Sequence, residues 1–386
     1  MRVTQLSLAD FRSYPELTIA LTGAVTTIVG RNGEGKTNIV EAIRYLSTLS
    51  SHRVATDAPL IRFGAERAVV QARVDKAGRS LMMEITLTPG KANTARINRG
   101  SARPRELLGI LRTVVFAPED LALVKGEPGG RRAFMDELCV ALSPRLAGDM
   151  ADYDRVLRQR SSMLKSAKHA RGDLTTLDIW DEKLASLGGV IVAARRRAVA
   201  ALAPHVARAY ADVAPSGGDC VIEYTTSLET DPDPAAPPAP LPADADADHI
   251  AEVLLSRLQH LRPKEIERGV SLAGPHRDDL TIRLGEMPAK GYASHGESWS
   301  CALALRLGSY DLLTADEGPD AAEDGEPVLI LDDVFAELDA GRRDALAARL
   351  ANARQVIITA AVADDVPSRL EGQTLQIVDG EVAERG

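Results

Sequence analysis

The string Gly30-Arg31-Asn32-Gly33-Glu34-Gly35-Lys36-Thr37 satisfies G-x-x-x-x-G-K-[ST] in full. Its glycines let a backbone wrap closely around a polyphosphate. Successive N–H groups, and the N-terminus of a following helix, then point at the anion. In that arrangement Lys36 reaches the β- and γ-phosphates and the Thr37 hydroxyl ligates Mg²⁺. A second set of groups fits the same chemistry. Asp332-Asp333 follows the apolar run Val328-Leu329-Ile330-Leu331, and an acidic residue at the end of such a strand supplies a further Mg²⁺ ligand. Asp332 takes that role, the Walker B position, and Asp333 can orient or deprotonate an attacking water. Lys36 and Asp333 are thus the candidate catalytic residues. A third element, Ser294-His295-Gly296-Glu297-Ser298, puts a hydroxyl and a glycine at the start of a helix, another anion-binding end.

The elements that must hold these groups are legible around them. The β-branched run Val25-Thr26-Thr27-Ile28-Val29 reads as a buried strand entering the glycine-rich turn. Ile39, Ile43 and Leu46 beyond it follow helical spacing. Val328 to Leu331 reads as a parallel strand covered on both faces. Cys301-Ala302-Leu303-Ala304-Leu305-Arg306-Leu307 suits a helix. Each motif has a plainer reading: a chance glycine turn at 30–37, a solvated acidic loop at 332–333, and an ordinary helix cap at Ser294.

Taken together, these motifs resemble the ATP-binding-cassette class and, within it, the RecF family. The opening Leu6-Ser7-Leu8-Ala9-Asp10-Phe11-Arg12-Ser13-Tyr14 is similar to the family's first strand and its F-R-x-Y element. Val115 to Gly126, with Arg131-Arg132-Ala133-Phe134-Met135-Asp136 behind it, and Gly274-Pro275-His276-Arg277-Asp278-Asp279-Leu280 resemble stretches peculiar to this family. Asp332 to Asp339 is similar to its Walker B segment and D-loop, and Ser294 to Glu297 to its signature motif. Glu297-Ser298-Trp299 departs from the glutamine-rich run of many relatives. Thr359-Ala360-Ala361 lacks the switch histidine of transporter cassettes, so hydrolysis is expected to be slow. No glutamine stands near 116–120, where Glu119 or Asp120 is the nearest substitute.

The resemblance implies a mechanism. One chain holds ATP and Mg²⁺ at its loop, and Ser294, Gly296 and Glu297 of a second copy close over the γ-phosphate. The homodimer clamps duplex or gapped DNA, hydrolysis releases it, and a RecR-type mediator is the partner in recombinational repair. The competing classes are a transporter's nucleotide-binding subunit and a small-molecule P-loop kinase. The inserted basic helical lobe and the missing switch histidine oppose the first; the signature helix opposes the second.

Composition fits a soluble cytoplasmic protein. The chain has 386 residues, 45% hydrophobic and 26% charged, enough for two core-forming units. No apolar run nears the ~20 residues of a membrane span, and the N-terminus lacks a signal-peptide core. Cys139, Cys220 and Cys301 have no metal-ligand spacing and read as buried fillers. His276 reads as a structural hydrogen-bonding group rather than a catalytic one. A net charge of −9 argues against generic nucleic-acid binding. Acid, however, is concentrated at 229–248, read as an extended disordered insertion, and at 314–326. Base clusters at 91–105 (Arg96, Arg99, Arg103, Arg105), at 155–171 (Arg155, Arg158, Arg160, Lys165) and at Arg195-Arg196-Arg197. Of these, Arg96, Arg99, Arg103, Arg105, Arg158 and Lys165 are the candidate DNA contacts, although each cluster also suits a solvated face. With aromatics at 4%, backbone contacts to duplex DNA fit better than base stacking.

The expected fold is α/β. Residues 1–117 and 269–386 form an ATPase head with an opening β-rich segment, and 118–268 form an inserted, mainly helical lobe. No long coiled coil is expected.

Overall fold

A computed structural model describes residues 1–169, 175–215, 217–229, 240–316, 325–378 and 380–385. The chain opens with β1 (Arg2–Phe11), β2 (Tyr14–Ala20) and β3 (Val25–Val29), then α1 (Lys36–Thr48). Strands β4 (Ala68–Lys76), β5 (Arg79–Leu87), β6 (Thr94–Ile97), β7 (Gly100–Ala102) and β8 (Thr113–Phe116) follow. A helical stretch begins with α2 (Leu121–Lys125), α3 (Pro128–Leu142), α4 (Leu146–His169) and α5 (Thr175–Val213). After it come β9 (Cys220–Thr225), α6 (Ala247–Arg268), β10 (Asp279–Leu284), β11 (Met287–Pro288), α7 (Ala289–Tyr292) and α8 (His295–Thr314). The chain ends with β12 (Val328–Asp332), α9 (Ala340–Leu350), β13 (Val356–Ala360), β14 (Gln373–Val378) and β15 (Glu381–Arg385).

Two compact units result: residues Met1–Lys125, Pro204–Cys220 and Leu284–Gly386, and residues Gly126–Ala203 with Val221–Arg283. The first unit contains two six-stranded sheets. One is antiparallel, in the order β2-β1-β4-β5-β6-β7. The other runs β15-β14-β3-β13-β12-β8 and is parallel apart from the β14–β15 hairpin at its edge. Val328 to Leu331 and Val356 to Ile358 are wholly buried, as a parallel strand covered on both faces must be. Helix α1 packs against β1, β4 and β5 of one sheet and β8, β12 and β13 of the other. Its long buried run, Ile39 to Ser47, reflects that double cover. The β14–β15 register pairs Val378 with Glu381, and Gly380 (φ +81°) takes the positive φ of a two-residue hairpin turn; Asp379 lies outside the described residues.

The second unit is built on α3, α4, most of α5 and α6, with a core of residues such as Tyr153, Leu184, Val192, Leu254 and Leu258. α5 is, at 39 residues, the longest described helix, and no described helix is long and apolar enough to cross a membrane. α5 does not stop at Ala203: it continues through Pro204 to Val213. That tail packs within the first unit, where Val206 lies against Gly308 of α8 so closely that a Cβ there would come within 2.9 Å of Val206 Cγ2.

Of the acidic stretch expected to be disordered, 230–239 lies outside the described residues. Within the remainder, Glu229 accepts from Leu241 N at 2.8 Å, and Asp246 caps α6 through His249 N at 2.9 Å. In the second acidic stretch 317–324 lies outside the described residues, while Asp316 pairs with Arg112 at 3.0 Å. All three cysteines are buried and free.

His276 has the structural role read from sequence. Its Nδ1 lies 2.7 Å from the Tyr153 hydroxyl and its Nε2 3.3 Å from the Ser271 carbonyl. Burial, aided by neighbouring arginines, pushes its pKa down to about 4. The unfolded chain therefore binds a proton near pH 6.5 that the folded chain refuses until about 4. Stability from this group is complete above 6.5 and is lost as pH falls, by about 2 kcal/mol at pH 5. Urea unfolding at pH 7.5 and pH 5 is expected to show a larger acid loss for the parent than for His276→Gln, by roughly that amount. Equal losses would remove His276 as the source.

Candidate nucleotide site and signature helix

The loop after β3 needs glycine at two points. Gly33 (φ +92°) and Gly35 (φ +101°) adopt conformations that side chains disfavour. At Gly35 a Cβ would also fall 2.7 Å from the Tyr14 hydroxyl. Glu34 closes the loop on itself: its Oε2 accepts from Arg31 N at 2.7 Å. Lys36 is 4% exposed, and its Nζ donates to the Gly30 carbonyl (2.9 Å), the Arg31 carbonyl (3.3 Å) and Asn32 Oδ1 (3.4 Å). The ammonium thus lies along the mouth of the loop, held by groups that a phosphate can replace. Ser13, on the β1–β2 turn, accepts from Asn38 Nδ2 at 2.9 Å and braces the start of α1.

Parallel pairing of β12 with β13, and of β13 with β3, brings the Walker B segment beside the loop. The Thr37 hydroxyl donates to Asp332 Oδ1 at 3.0 Å across 295 positions of sequence. The same oxygen accepts from the Thr359 hydroxyl at 2.6 Å. Thr359, on β13, joins the candidate site with no motif to mark it, and its hydroxyl oxygen accepts from Asp333 N at 2.9 Å. Asp333 sits in a left-handed conformation (φ 52°), uncommon for a residue with a side chain. Burial raises its pKa, with Lys36 opposing and Asp332 reinforcing, a bias toward proton uptake that suits a general base. Asn32, Asp333, Phe335, Glu337 and Thr359 line one cleft. A hydroxyl and a carboxylate 3.0 Å apart offer the hard oxygen donors that Mg²⁺ takes alongside phosphate oxygens.

Ser294 begins α8 as its cap. Its Oγ accepts from Glu297 N at 3.2 Å, and Glu297 Oε2 accepts from Ser294 N at 2.8 Å, a reciprocal capping box. The bonds from Ser294 hold the exposed Glu297 carboxyl below its usual range. Gly296 faces Arg342 of α9, whose Nε donates to Ser300 Oγ at 2.8 Å. Among the described residues no hydrogen bond joins Ser294, Gly296 or Glu297 to 30–37 of the same chain. Asp120 is committed elsewhere: it accepts from Arg306 at 2.6 Å and from Ala117 N at 3.0 Å.

The basic clusters divide. Arg96 on β6, Arg99 in the turn between β6 and β7, and Arg103 and Arg105 just after β7 are exposed, with Arg96 3.8 Å from Glu84. In the second unit Arg155, Arg158 and Lys165 are exposed. Arg160 is not available to a surface partner. It is fully buried, donating to Asp181 (2.5 Å), Glu265 (2.6 Å) and Ser271 (2.7 Å). Arg195 is likewise buried, paired with both oxygens of Asp136 at 2.7 and 2.9 Å. Helical periodicity turns these two arginines inward, where carboxylates must neutralise them.

The geometry agrees with comparisons to known proteins. Residues 2–373 match the family model described as the RecF/RecN/SMC N terminal domain. A DNA replication and repair protein RecF from Streptomyces avermitilis is 54% identical over 389 residues, covering 99% of each chain. Its counterpart in Beutenbergia cavernae is 55% identical, again covering 99% of each. Among solved structures, the recombination mediator protein RecF-ATP in the RecFOR pathway superposes with a TM-score of 0.87 at 27% identity, covering all of this chain and 97% of that one. The ATPrS form gives 0.87 at 26%, covering 100% and 98%. An Smc head domain from Pyrococcus furiosus, 18% identical with a TM-score of 0.53 over 99% and 96% of the two chains, shares the ATPase fold. A family model spanning nearly the whole chain, and relatives more than half identical from end to end, lead to one conclusion: this chain belongs to the RecF family, whose curated members are DNA replication and repair proteins.

Proposed function

We propose that this chain is an ATP-gated DNA-binding protein of recombinational repair, working in the cytoplasm. The observation that carries the reading is the convergence of Lys36, Thr37, Asp332 and Asp333 at one loop. The backbone N–H groups of 30–35 cradle the phosphates, and Lys36 turns from the loop carbonyls to the β- and γ-phosphates. Thr37 and Asp332 hold Mg²⁺, which when bound neutralises charge on the phosphate oxygens. Asp333 takes the proton of the attacking water. Among the described residues, Ser294, Gly296 and Glu297 make no hydrogen bond to 30–37 of their own chain, which supports their acting on the nucleotide of a second copy. Hydrolysis is slow because Ala361 offers no switch histidine. ATP closes the homodimer on duplex or gapped DNA, and a RecR-type mediator joins it.

DNA binding with ATP, with ADP and without nucleotide, over a salt series, tests the reading; tighter binding with ATP than with ADP is expected. Charge reversal at Arg99 and Arg103, or separately at Arg158 and Lys165, is expected to weaken duplex binding without sequence preference. Each reversal should also flatten the salt slope by about one per lost phosphate contact. Unchanged affinity and slope in both double variants would remove these residues from the DNA surface.

A further inference from the structure

His52 lies in a turn that no motif covers. α1 ends at Leu49 in a left-handed conformation (φ 55°), and the chain doubles back along the helix. Ser51 shapes the turn: its Oγ accepts from Arg53 N at 3.0 Å and Val54 N at 3.2 Å while donating to Glu41. Arg53 donates to Asn38 Oδ1 at 3.1 Å. Glu41 is fully buried; burial alone would raise its pKa, yet bonds from Arg12 and Ser51 hold it low. The turn is therefore tied to the first two turns of α1, at the level of Thr37.

The result is an unusual placement of an imidazole. The His52 side chain is 8% exposed, and its Nε2 is 3.9 Å from Asp332 Oδ2. Among the described residues, neither ring nitrogen has a hydrogen-bond partner. A buried polar atom without a partner is costly and needs an explanation. Asp332 Oδ1 is occupied by Thr37 and Thr359, so Oδ2 is the oxygen left for further contacts. At 3.9 Å the two groups are too far apart for a direct bond. A single water about 2.8 Å from each would link them at an angle of about 90°.

We propose that His52 is a positioning residue of the nucleotide–cation site: with Mg-ATP bound, its Nε2 and Asp332 Oδ2 share one water, which orients the carboxylate toward the cation. Mg²⁺ keeps several waters and is sensitive to such outer partners. His52 then tunes how much Mg²⁺ is needed for tight ATP binding, through an element other than the strand that carries the switch histidine in transporter cassettes. This rests on the reading of Thr37 and Asp332 as the Mg²⁺ ligands.

The experiment titrates Mg²⁺ into the full chain with a fixed amount of fluorescent ATP analogue, and repeats binding in EDTA. His52→Ala is expected to raise the Mg²⁺ midpoint about tenfold, the usual effect of losing an outer-shell partner. Affinity in EDTA should stay within about twofold of the parent, since the loop that holds the phosphates is untouched. His52→Phe keeps ring volume without a donor and is expected to shift the midpoint equally. His52→Gln, which carries a donor at similar reach, should stay within about threefold of the parent. If the alanine variant fails to fold, the Phe and Gln pair decides. Equal midpoints in Phe, Gln and parent, or a loss of affinity in EDTA matching that in Mg²⁺, would overturn the role of His52. Failure of the underlying reading looks different: the parent itself would show no Mg²⁺ dependence, or Asp332→Asn would leave the midpoint unmoved, and the inference would fall with it.

Discussion

Lys36→Ala is expected to weaken ATP binding by at least about 100-fold, to loss of signal in most assays. A charge-assisted hydrogen bond is worth about 1.5–3 kcal/mol, and Lys36 is proposed to contact two phosphates, so about 3–5 kcal/mol is at stake. Each 1.4 kcal/mol is about tenfold in affinity. The native contacts of Lys36 argue that this is a binding effect. Its ammonium bonds the Gly30 and Arg31 carbonyls, and both residues line a surface cleft, so water can take its place once the side chain is removed. The fold should therefore survive, which a thermal unfolding scan checks. Lys36→Arg tests geometry against charge: a planar guanidinium is a poor match for a loop built around a compact ammonium, so charge alone should restore little. Equilibrium binding of Mg-ATP by the three proteins decides. Parent-like affinity in Lys36→Ala would refute the phosphate-binding assignment.

Ser294→Arg is expected to keep ATP binding and lose ATP-dependent dimerisation and hydrolysis. The N-terminus of α8 carries roughly half a positive charge. With the Ser294 hydroxyl it can bind a γ-phosphate presented by a second copy, and it holds much less once that phosphate leaves. ATP should therefore favour the dimer and ADP the monomer, in proportion to the difference in affinity between the two states. An arginine places bulk in that contact. It also removes a helix cap, at a cost of about 1 kcal/mol, so a second variant is needed. Ser294→Asp preserves the cap, because aspartate accepts from the N3 amide as serine does, but sets a carboxylate against phosphate. Both variants should sediment as monomers with ATP while binding nucleotide as the parent does. A parent that stays monomeric with ATP, or variants that still dimerise, would leave a nucleotide-binding protein without a shared site.

The local parts of this protein are determined by its sequence, for reasons that act over a few residues. The strand–loop–helix at 25–48 follows from a β-branched run, glycines where φ must be positive, and apolar residues at helical spacing. The Asp332 strand end and the Ser294 capping box are equally local. The family resemblance extends that legibility to the fold, and the comparisons bear it out. What the tertiary structure alone decides involves partners far apart in sequence. Thr359 joins Asp332 only because β12 and β13 pair in one register. His52 reaches the same carboxylate only because a turn doubles back along α1. Arg160 and Arg195 read as surface base on charge count, and only packing shows that their helix faces point inward to Asp181, Glu265 and Asp136. The segment after Pro204 looks like more of the helical lobe, yet it belongs to the first unit. Helix propensity says what a segment becomes, whereas long-range burial and charge pairing say which side of it faces the core.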